Sequence, residues 1–361
     1  MLATRELHED GQSLWLDNIT RDLLQNGTLR QYIAALSVTG LTSNPTIFDH
    51  AIKNSSAYDD AIRRKAKEGK SGEDLFFELA LEDLTRAADL FRPIWDRTHG
   101  VDGWVSLEVS PVLARDAAST LAAAKNLHRR ASRPNLMIKI PGTPEGLPAI
   151  EEAIFAGIPI NVTLLFSGRQ YVAAADAFVR GIERRIEAGL DPEVGSVASV
   201  FVSRWDAAVK DLVPGPLRNQ LGIAVAKQTY KAYRMLLDSP RWQRLFNVGA
   251  RPQRLLWAST GTKDPSASDV LYVRGLAAPF TVNTMPEATL KALADHGTLG
   301  GILTRDGGDS DEALARFETA GVEVEALAAR LQDEGARAFV ASWRELIDVI
   351  GSRSAALDKN G

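Results

Sequence analysis

The feature that most constrains the fold is a series of eight short apolar runs, each followed by a segment with helical periodicity. Runs of this kind are typical of strands buried on both faces, as in parallel sheets that are covered by helices. The runs span residues 13–17, 40–43, 103–109, 136–140, 158–166, 197–202, 255–259 and 280–283. Eight strands that alternate with helices predict an α/β protein, specifically a (β/α)8 TIM barrel with additional helices.

Helix-start signals follow several of these runs. A hydroxyl residue that precedes an acidic or amide side chain by three positions can cap a helix, and proline is favoured in the first turn. The sequence therefore predicts helices that open at Thr143-Pro144, Ser167, Ser203, Ser266 and Thr284, and one that opens at Ser71 between the second and third runs.

The chain length of 361 residues fits either two or three ordinary domains or one large barrel with extra helices. We find no repeat, linker or composition break, so we expect a single domain over residues 1–361. Residues 46–101 are expected to form a helical insertion after strand 2, and residues 309–353 a C-terminal helical cover. That cover includes a long helix with one apolar face, formed by Phe339, Trp343, Leu346, Ile347 and Ile350. Residues from about 354 onward are expected to form a loose tail.

The composition argues against several kinds of reactive group, ligand and partner. The chain has no cysteine and five histidines, and it contains no HExxH motif, so thiol nucleophiles, disulfides and metal sites are not expected. Neither a Walker A pattern nor GxGxxG occurs, so no cofactor is expected. A net charge of −4 without a long basic run argues against nucleic-acid binding. The polar N-terminus and the lack of a long apolar stretch predict no membrane association and a cytoplasmic location.

Lys139 is the most informative polar residue within the apolar runs. Strand alternation turns Leu136, Ile138 and Ile140 toward the helices, and Met137 and Lys139 toward the barrel interior. Burial disfavours the charged ammonium form, and a neutral amine on a rigid strand is what Schiff-base chemistry requires. The alternative is an ion-paired lysine at a strand end with its charged group in solvent.

Two carboxylates end other strands. Asp17 and Glu108 could act as general acid or base if burial tunes their pKa values. The alternative for Asp17 is capping of the helix that begins near Thr20. The alternative for Glu108 is a salt bridge to a barrel lysine, which is also what a catalytic pair would form.

Amides, hydroxyls and cations recur near the ends of further strands: Asn44, Asn161, Thr163, Ser199, Arg204 and Lys263. Taken singly, each amide or hydroxyl is more often a satisfied core group or a turn residue. Their recurrence on successive strands favours a shared site, because catalytic groups of a parallel barrel come from the carboxyl ends of its strands. The glycine-containing turn before Lys263 could hold a phosphate.

Six segments in this order resemble the transaldolase family, a class I (Schiff-base) aldolase family built on an (α/β)8 barrel. They are Leu14-Trp-Leu-Asp17, Gly40-Leu-Thr-Ser-Asn-Pro45, Ser106-Leu-Glu108, Ile138-Lys-Ile-Pro141, Asn161-Val-Thr-Leu-Leu-Phe166 and Ser199-Val-Phe-Val-Ser-Arg204. The segments extend over most of the chain, and the length resembles that of the longer bacterial subclass.

The resemblance implies transfer of a dihydroxyacetone unit in the non-oxidative pentose phosphate pathway. The donor would be sedoheptulose 7-phosphate or fructose 6-phosphate, and the acceptor glyceraldehyde 3-phosphate or erythrose 4-phosphate. Lys139 would form the Schiff base and Asp17 would take the C4 hydroxyl proton. Glu108 and Thr163 would hold a proton-shuttling water. The remaining residues would bind substrate: Asn44, Asn161, Ser199, Phe201, Arg204, Ser259 and Lys263.

One segment departs from the family pattern. Where many members have a second phosphate-binding arginine after strand seven, this chain reads Ala258-Ser-Thr-Gly-Thr-Lys263, so Lys263 or the turn amides would replace it. Three alternatives remain: a hydrolytic aldolase that releases dihydroxyacetone, a phosphosugar isomerase, and an inactive sugar-phosphate binder. The enzyme is expected to be a monomer or homodimer with small-molecule substrates.

Overall fold

The computed structural model describes residues 2–359, in which eight parallel strands close into a barrel. Each strand pairs with the next one in the chain, and the last pairs with the first. The strands are β1 (Gln12–Asp17), β2 (Val38–Thr42), β3 (Val105–Glu108), β4 (Leu136–Pro141), β5 (Ile160–Leu165), β6 (Ser196–Phe201), β7 (Arg254–Ala258) and β8 (Thr281–Met285). The predicted (β/α)8 barrel is confirmed, and every strand end lies within two residues of its predicted position.

Sixteen α helices cover this barrel in the part of the chain that the structure describes. They are α1 (Ala3–Glu9), α2 (Arg21–Gln25), α3 (Thr28–Ala35), α4 (Pro45–Asn54), α5 (Asp59–Lys67), α6 (Gly72–Arg97), α7 (Ala117–Ala131), α8 (Leu147–Phe155), α9 (Gly168–Glu187), α10 (Ser203–Val209), α11 (Leu221–Asp238), α12 (Pro240–Asn247), α13 (Leu271–Gly275), α14 (Glu287–His296), α15 (Ser310–Thr319) and α16 (Val324–Lys359). None of the helices in residues 2–359 has the length and apolarity needed to cross a membrane.

Side-chain alternation on β4 divides the core as predicted. Ile138 and Ile140 belong to the apolar layer between strands and helices. Met137 belongs instead to the cluster that includes Trp15 and Val197 from neighbouring parts of the barrel. Lys139 shares the inward orientation of Met137, because the two residues are separated by two positions on one strand.

Strand register brings polar residues into one layer of the barrel. Glu108 on β3 lies beside Lys139 on β4, and Lys139 lies beside Asn161 on β5. On the other side of the barrel, Asp17 on β1 lies beside Thr42 on β2. Because all eight strands are parallel, these residues meet near the same end of the barrel.

The predicted helix starts at Ser167, Ser71 and Ser203 are confirmed, and α10 begins at Ser203 itself. The Ser167 hydroxyl accepts a hydrogen bond from the backbone N–H of Gln170 at 3.2 Å, and α6 follows directly after Ser71.

The other three predicted starts are wrong, because tertiary or turn partners bind those hydroxyls. Thr143 closes a turn onto the Gly146 N–H, so α8 begins later, at Leu147. Ser266 bonds to Asp264, and Thr284 is still part of β8. At the confirmed start of α10 the Ser203 hydroxyl pairs with that of Ser259 and does not cap the helix.

Between β2 and β3 the chain forms α4, α5 and α6. Helix α16 packs against all three of these helices. The contacts include a hydrogen bond from Thr46 Oγ1 to Ser342 Oγ at 3.0 Å and one from Trp343 Nε1 to Glu73 Oε1 at 2.7 Å. The apolar face predicted for α16 is confirmed, with Phe339, Trp343, Leu346 and Ile350 buried and Ile347 partly buried.

The loose tail predicted from about residue 354 is wrong, because α16 continues to Lys359. Arg353 anchors the preceding turn by a 2.6 Å ion pair with Asp59, and Leu357 packs against the core. Residues 354–359 also contain no proline or glycine that would end the helix. Residues 360 and 361 lie outside the described residues.

Candidate active site

A cavity of about 620 Å³ opens at the carboxyl ends of the strands. Nine of the eleven predicted site residues line it: Asp17, Asn44, Lys139, Thr163, Ser199, Phe201, Arg204, Ser259 and Lys263. Glu108 and Asn161 are buried beside the lining residues, one register position to either side of Lys139. The structure therefore brings all eleven residues to one end of the barrel.

Lys139 is buried at the base of this cavity, with only 6% of its side chain exposed. Its Nζ atom lies 3.2 Å from Glu108 Oε2 and donates a hydrogen bond to the Ser43 carbonyl at 3.3 Å. The alternative of a solvated lysine at a strand end is therefore wrong in its placement, although the ion pair exists. One buried carboxylate and one backbone carbonyl hold the amine in place.

Glu108 on β3 and Thr163 on β5, the strands on either side of β4, have unused hydrogen-bonding atoms. Burial raises the pKa of Glu108, and the positive charge of Lys139 offsets part of that effect. Both Glu108 Oε1 and Thr163 Oγ1 are buried, and neither has a hydrogen-bond partner within residues 2–359. A buried acceptor and a buried hydroxyl of this kind can each bind one small polar molecule.

Asp17 is partly exposed to the cavity. Its Oδ1 accepts a hydrogen bond from Thr42 at 2.8 Å, and the Thr42 hydroxyl lies 2.7 Å from that of Thr284. Burial raises the pKa of Asp17, while the charge of Lys139 and the Thr42 hydrogen bond lower it in part. The capping alternative for Asp17 is wrong, because the Thr20 side chain caps α2.

The predicted amides occupy two depths. Asn44 lines the cavity, and its Oδ1 caps α4 by accepting from the Ile47 N–H at 3.1 Å, which leaves its amide nitrogen available to a ligand. Asn161 is fully buried, where it donates to Ser106 Oγ at 3.1 Å and accepts from Ser199 Oγ at 2.7 Å. Asn161 therefore orients Ser199, which itself lines the cavity.

Cationic groups lie on the β6–β7 side of the cavity. The Arg204 guanidinium lies 5.3 Å from the centre of the Phe201 ring, and Lys263 is exposed at the rim. Neither cation has a carboxylate within 4.0 Å in the described part of the chain. Ser259 has a positive φ of 57° and its hydroxyl lies 2.8 Å from that of Ser203, so the turn after β7 is fixed close to α10.

Sequence reasoning did not assign four residues that the structure places at this site: Thr42, Ser43, Thr284 and Phe339. Thr42 and Ser43 fall within a quoted motif, so their position directly before Asn44 was an available signal. Phe339 belongs to the predicted apolar face of α16, but its position over the cavity depends on how that helix crosses the barrel.

The arrangement combines three kinds of chemical group. A buried amine can act as a nucleophile, two carboxylates with raised pKa values can exchange protons, and two unpaired cations can bind an anion. No cluster of three or more His, Cys, Asp or Glu side chains in residues 2–359 could hold a metal ion.

Comparison with known proteins places the chain among relatives of matching length. A family model described as "Transaldolase/Fructose-6-phosphate aldolase" matches residues 14–350. A protein named transaldolase from Thermobifida fusca (strain YX) is 47% identical over 361 residues, which cover 98% of each chain. One of the same name from Arthrobacter sp. (strain FB24) is 44% identical, again with 98% of each chain covered. One from Thiobacillus denitrificans (strain ATCC 25259 / T1) is 44% identical over 97% of this chain and all of its own. The predicted family is confirmed: the chain belongs to the transaldolase/fructose-6-phosphate aldolase family.

Proposed function

We propose that the protein is a transaldolase, a transferase that moves a dihydroxyacetone unit from a ketose phosphate to an aldose phosphate through a Schiff base on Lys139. The observation that carries the proposal is the burial of Lys139 Nζ within 3.2 Å of Glu108 at the base of the cavity. The full-length relatives are named transaldolase, which agrees with this chemistry.

The first half of the reaction joins the donor to Lys139. The amine first passes a proton to Glu108, for which the raised pKa of that carboxyl is suited. The Nζ lone pair then attacks the C2 carbonyl of the ketose, and the carbinolamine loses water to give the imine. Glu108 Oε1 and Thr163 Oγ1 are the unused polar atoms that would hold that water.

Cleavage follows at the C3–C4 bond. Asp17 removes the proton of the C4 hydroxyl, the C3–C4 electrons move into the protonated imine, and an aldose phosphate leaves. The remaining enamine attacks the aldehyde carbon of the acceptor, and Asp17 returns its proton to the new alkoxide. Addition of water to the product imine then frees Lys139.

The other predicted residues have binding roles in this proposal. Asn44 and Ser199 would bind hydroxyls of the three-carbon unit, with Asn161 holding Ser199. Arg204 and Lys263 would bind the substrate phosphate beside Ser259, since both cations lack a carboxylate partner within the described residues. Phe201 would form an apolar wall next to Arg204.

The donor sugar, the pathway, the cellular location and the oligomeric state are also part of the proposal. The donor would be sedoheptulose 7-phosphate or fructose 6-phosphate, in the non-oxidative pentose phosphate pathway. We further propose a cytoplasmic monomer or homodimer without cofactor or nucleic-acid partner. It would act as a single domain, with residues 46–101 as an insertion and residues 309–353 as a cover.

Trapping the imine tests the central step. Borohydride added together with fructose 6-phosphate should reduce the imine to a stable secondary amine, which peptide mass analysis should locate at Lys139. Lys139→Ala should abolish the adduct, whereas Lys263→Ala should still form it, since that amine is exposed at the rim. No adduct, or an adduct on a different lysine, would refute the mechanism.

Product analysis separates transfer from hydrolysis. With fructose 6-phosphate and erythrose 4-phosphate, a transaldolase should form sedoheptulose 7-phosphate and glyceraldehyde 3-phosphate. Rapid release of free dihydroxyacetone without an acceptor would instead identify a hydrolytic aldolase, the other activity in the family name.

A further inference from the structure

Helix α16 is fixed over the carboxyl ends of two strands that carry site residues. The buried Gln332 side chain donates hydrogen bonds to the carbonyl of Gly142, just after β4, at 3.1 Å and to that of Leu164, near the end of β5, at 2.9 Å. Leu164 has a positive φ of 58°, and the pairing of β5 with β6 shifts register between Val162 and Leu165. Gln332 therefore binds the backbone at the place where β5 departs from regular geometry.

Phe339 lies seven residues further along α16, on the same helical face. Its side chain lines the cavity, and the centre of its ring lies 5.7 Å from Lys139 Nζ. The ring is held on both sides along the helix. Gln332 fixes one end, and Trp343 fixes the other by packing on Phe76 at 4.9 Å and donating to Glu73.

The Phe339 ring lies where it can affect a side reaction, the hydrolysis of the imine on Lys139 before transfer. After cleavage, the enamine can take a proton at C3 from Asp17, which regenerates a protonated imine. Water can then add to C2, with one of its protons passing to Glu108. Glu108 then gives its proton to Nζ, the C2–Nζ bond breaks as the C2 hydroxyl passes its proton to Glu108, and dihydroxyacetone is lost before any acceptor arrives. Exclusion of water from a site is a known way to suppress hydrolysis of reactive intermediates.

Resting on the proposed function, we propose that Phe339 is a specificity-determining residue that favours the aldose acceptor over water. Its ring lies next to the Lys139 nitrogen on the side of the cavity that α16 forms. An aromatic face next to Nζ also favours a positively charged nitrogen, so the same ring stabilises the protonated imine. Because the ring is buried with 5% of the residue exposed, bulk water has little access from that side.

The test compares two rates measured on the same preparation. One is the release of free dihydroxyacetone from fructose 6-phosphate without acceptor, and the other is transfer to erythrose 4-phosphate. Phe339→Ala should raise the ratio of release to transfer about tenfold or more, and Phe339→Leu should raise it less. Trp343→Leu is the matched control, because it loosens the same helix but keeps the Phe339 ring, and its ratio should rise much less than that of Phe339→Ala.

Two results would overturn the inference. The first is a ratio in Phe339→Ala within about twofold of wild type while borohydride still traps the adduct on Lys139. The second is an equal rise in Trp343→Leu, which would make general loosening of α16 the cause. Phe339→Leu keeps the test valid if the alanine variant does not fold. Absence of the adduct in the wild-type protein would refute the proposed function rather than this role of Phe339.

Discussion

At the scale of single residues, a hydrogen-bond chain runs from Thr284 through Thr42 to Asp17, the base in the proposed mechanism. The Thr42 hydrogen bond stabilises the carboxylate form of Asp17 and so opposes the rise in its pKa that burial causes. Burial and the charge of Lys139 have larger effects on the pKa of Asp17, and the Thr42 hydrogen bond adds to the effect of Lys139.

Thr42→Val removes this hydrogen bond and should raise the pKa of Asp17 further. Since the base must be ionised, the acid limb of the pH profile of kcat/KM should move to higher pH, which rate measurements across that range would detect. Thr284→Val keeps the contact between Thr42 and Asp17 and should move the limb less. An unmoved limb in Thr42→Val, or an equal movement in both variants, would contradict this role.

At the scale of elements, Gly335 on α16 allows the helix to approach the side of the cavity that carries Arg204. A Cβ atom at this position would lie 3.0 Å from Leu164 Cδ2 and 3.2 Å from Arg204 Nη1. Both distances are shorter than ordinary van der Waals contact, and the flexible Arg204 side chain is the partner that can move. Small size at this position therefore helps to place the guanidinium.

Gly335→Ala should displace Arg204 and raise KM for fructose 6-phosphate several-fold, on the order of 1 kcal/mol of lost binding. Gly351→Ala on the same helix is the control, because a Cβ there meets nothing within 4 Å. That control should leave KM unchanged and raise stability by up to about 1 kcal/mol, the helix propensity difference between alanine and glycine. Steady-state kinetics and thermal unfolding of both variants would decide; equal KM values would exclude the steric role.

At the scale of the whole molecule, Asp206 connects segments that follow two different strands. Its carboxylate accepts hydrogen bonds from the backbone N–H groups of Leu221 and Gly222, at 2.9 Å and 3.2 Å, and from the Tyr272 hydroxyl at 2.9 Å. These bonds join α10, α11 and α13. Burial outweighs them and raises the pKa of Asp206 to about 6.

A raised carboxyl pKa means that the folded protein binds this proton more tightly than the unfolded chain. The contribution of Asp206 to stability is therefore present below about pH 4 and is lost as pH rises toward about 6, by at most about 3 kcal/mol. Asp206→Asn should flatten the pH dependence of the unfolding free energy in this window. Glu318→Gln, at an exposed site, should retain the wild-type slope. A slope in Asp206→Asn equal to that of the wild type would assign the effect to other groups.

Local sequence patterns predict some features of the site, whereas contacts between distant residues determine others. The inward direction of Lys139 and its proximity to Glu108 follow from strand alternation and parallel register, both of which repeat along the chain. Thr284 does not start a helix, because Thr42, distant in sequence, binds its hydroxyl. Helix α10 does begin at Ser203, but the hydroxyl pairs with Ser259 and does not cap the helix. Phe339 could be placed on a helix face, but only the crossing of α16 over β4 and β5 places it above the amine.

The position of α16 at the end of the sequence affects the order in which the newly made chain can complete its site. All eight strands and Lys139 leave the ribosome before Gln332 and Phe339 do. The nascent protein can thus close its barrel while the nucleophilic amine still lacks its aromatic cover. Selective transfer would then be acquired only at the end of synthesis, so that a prematurely terminated product could retain a folded barrel and yet waste its donor sugar.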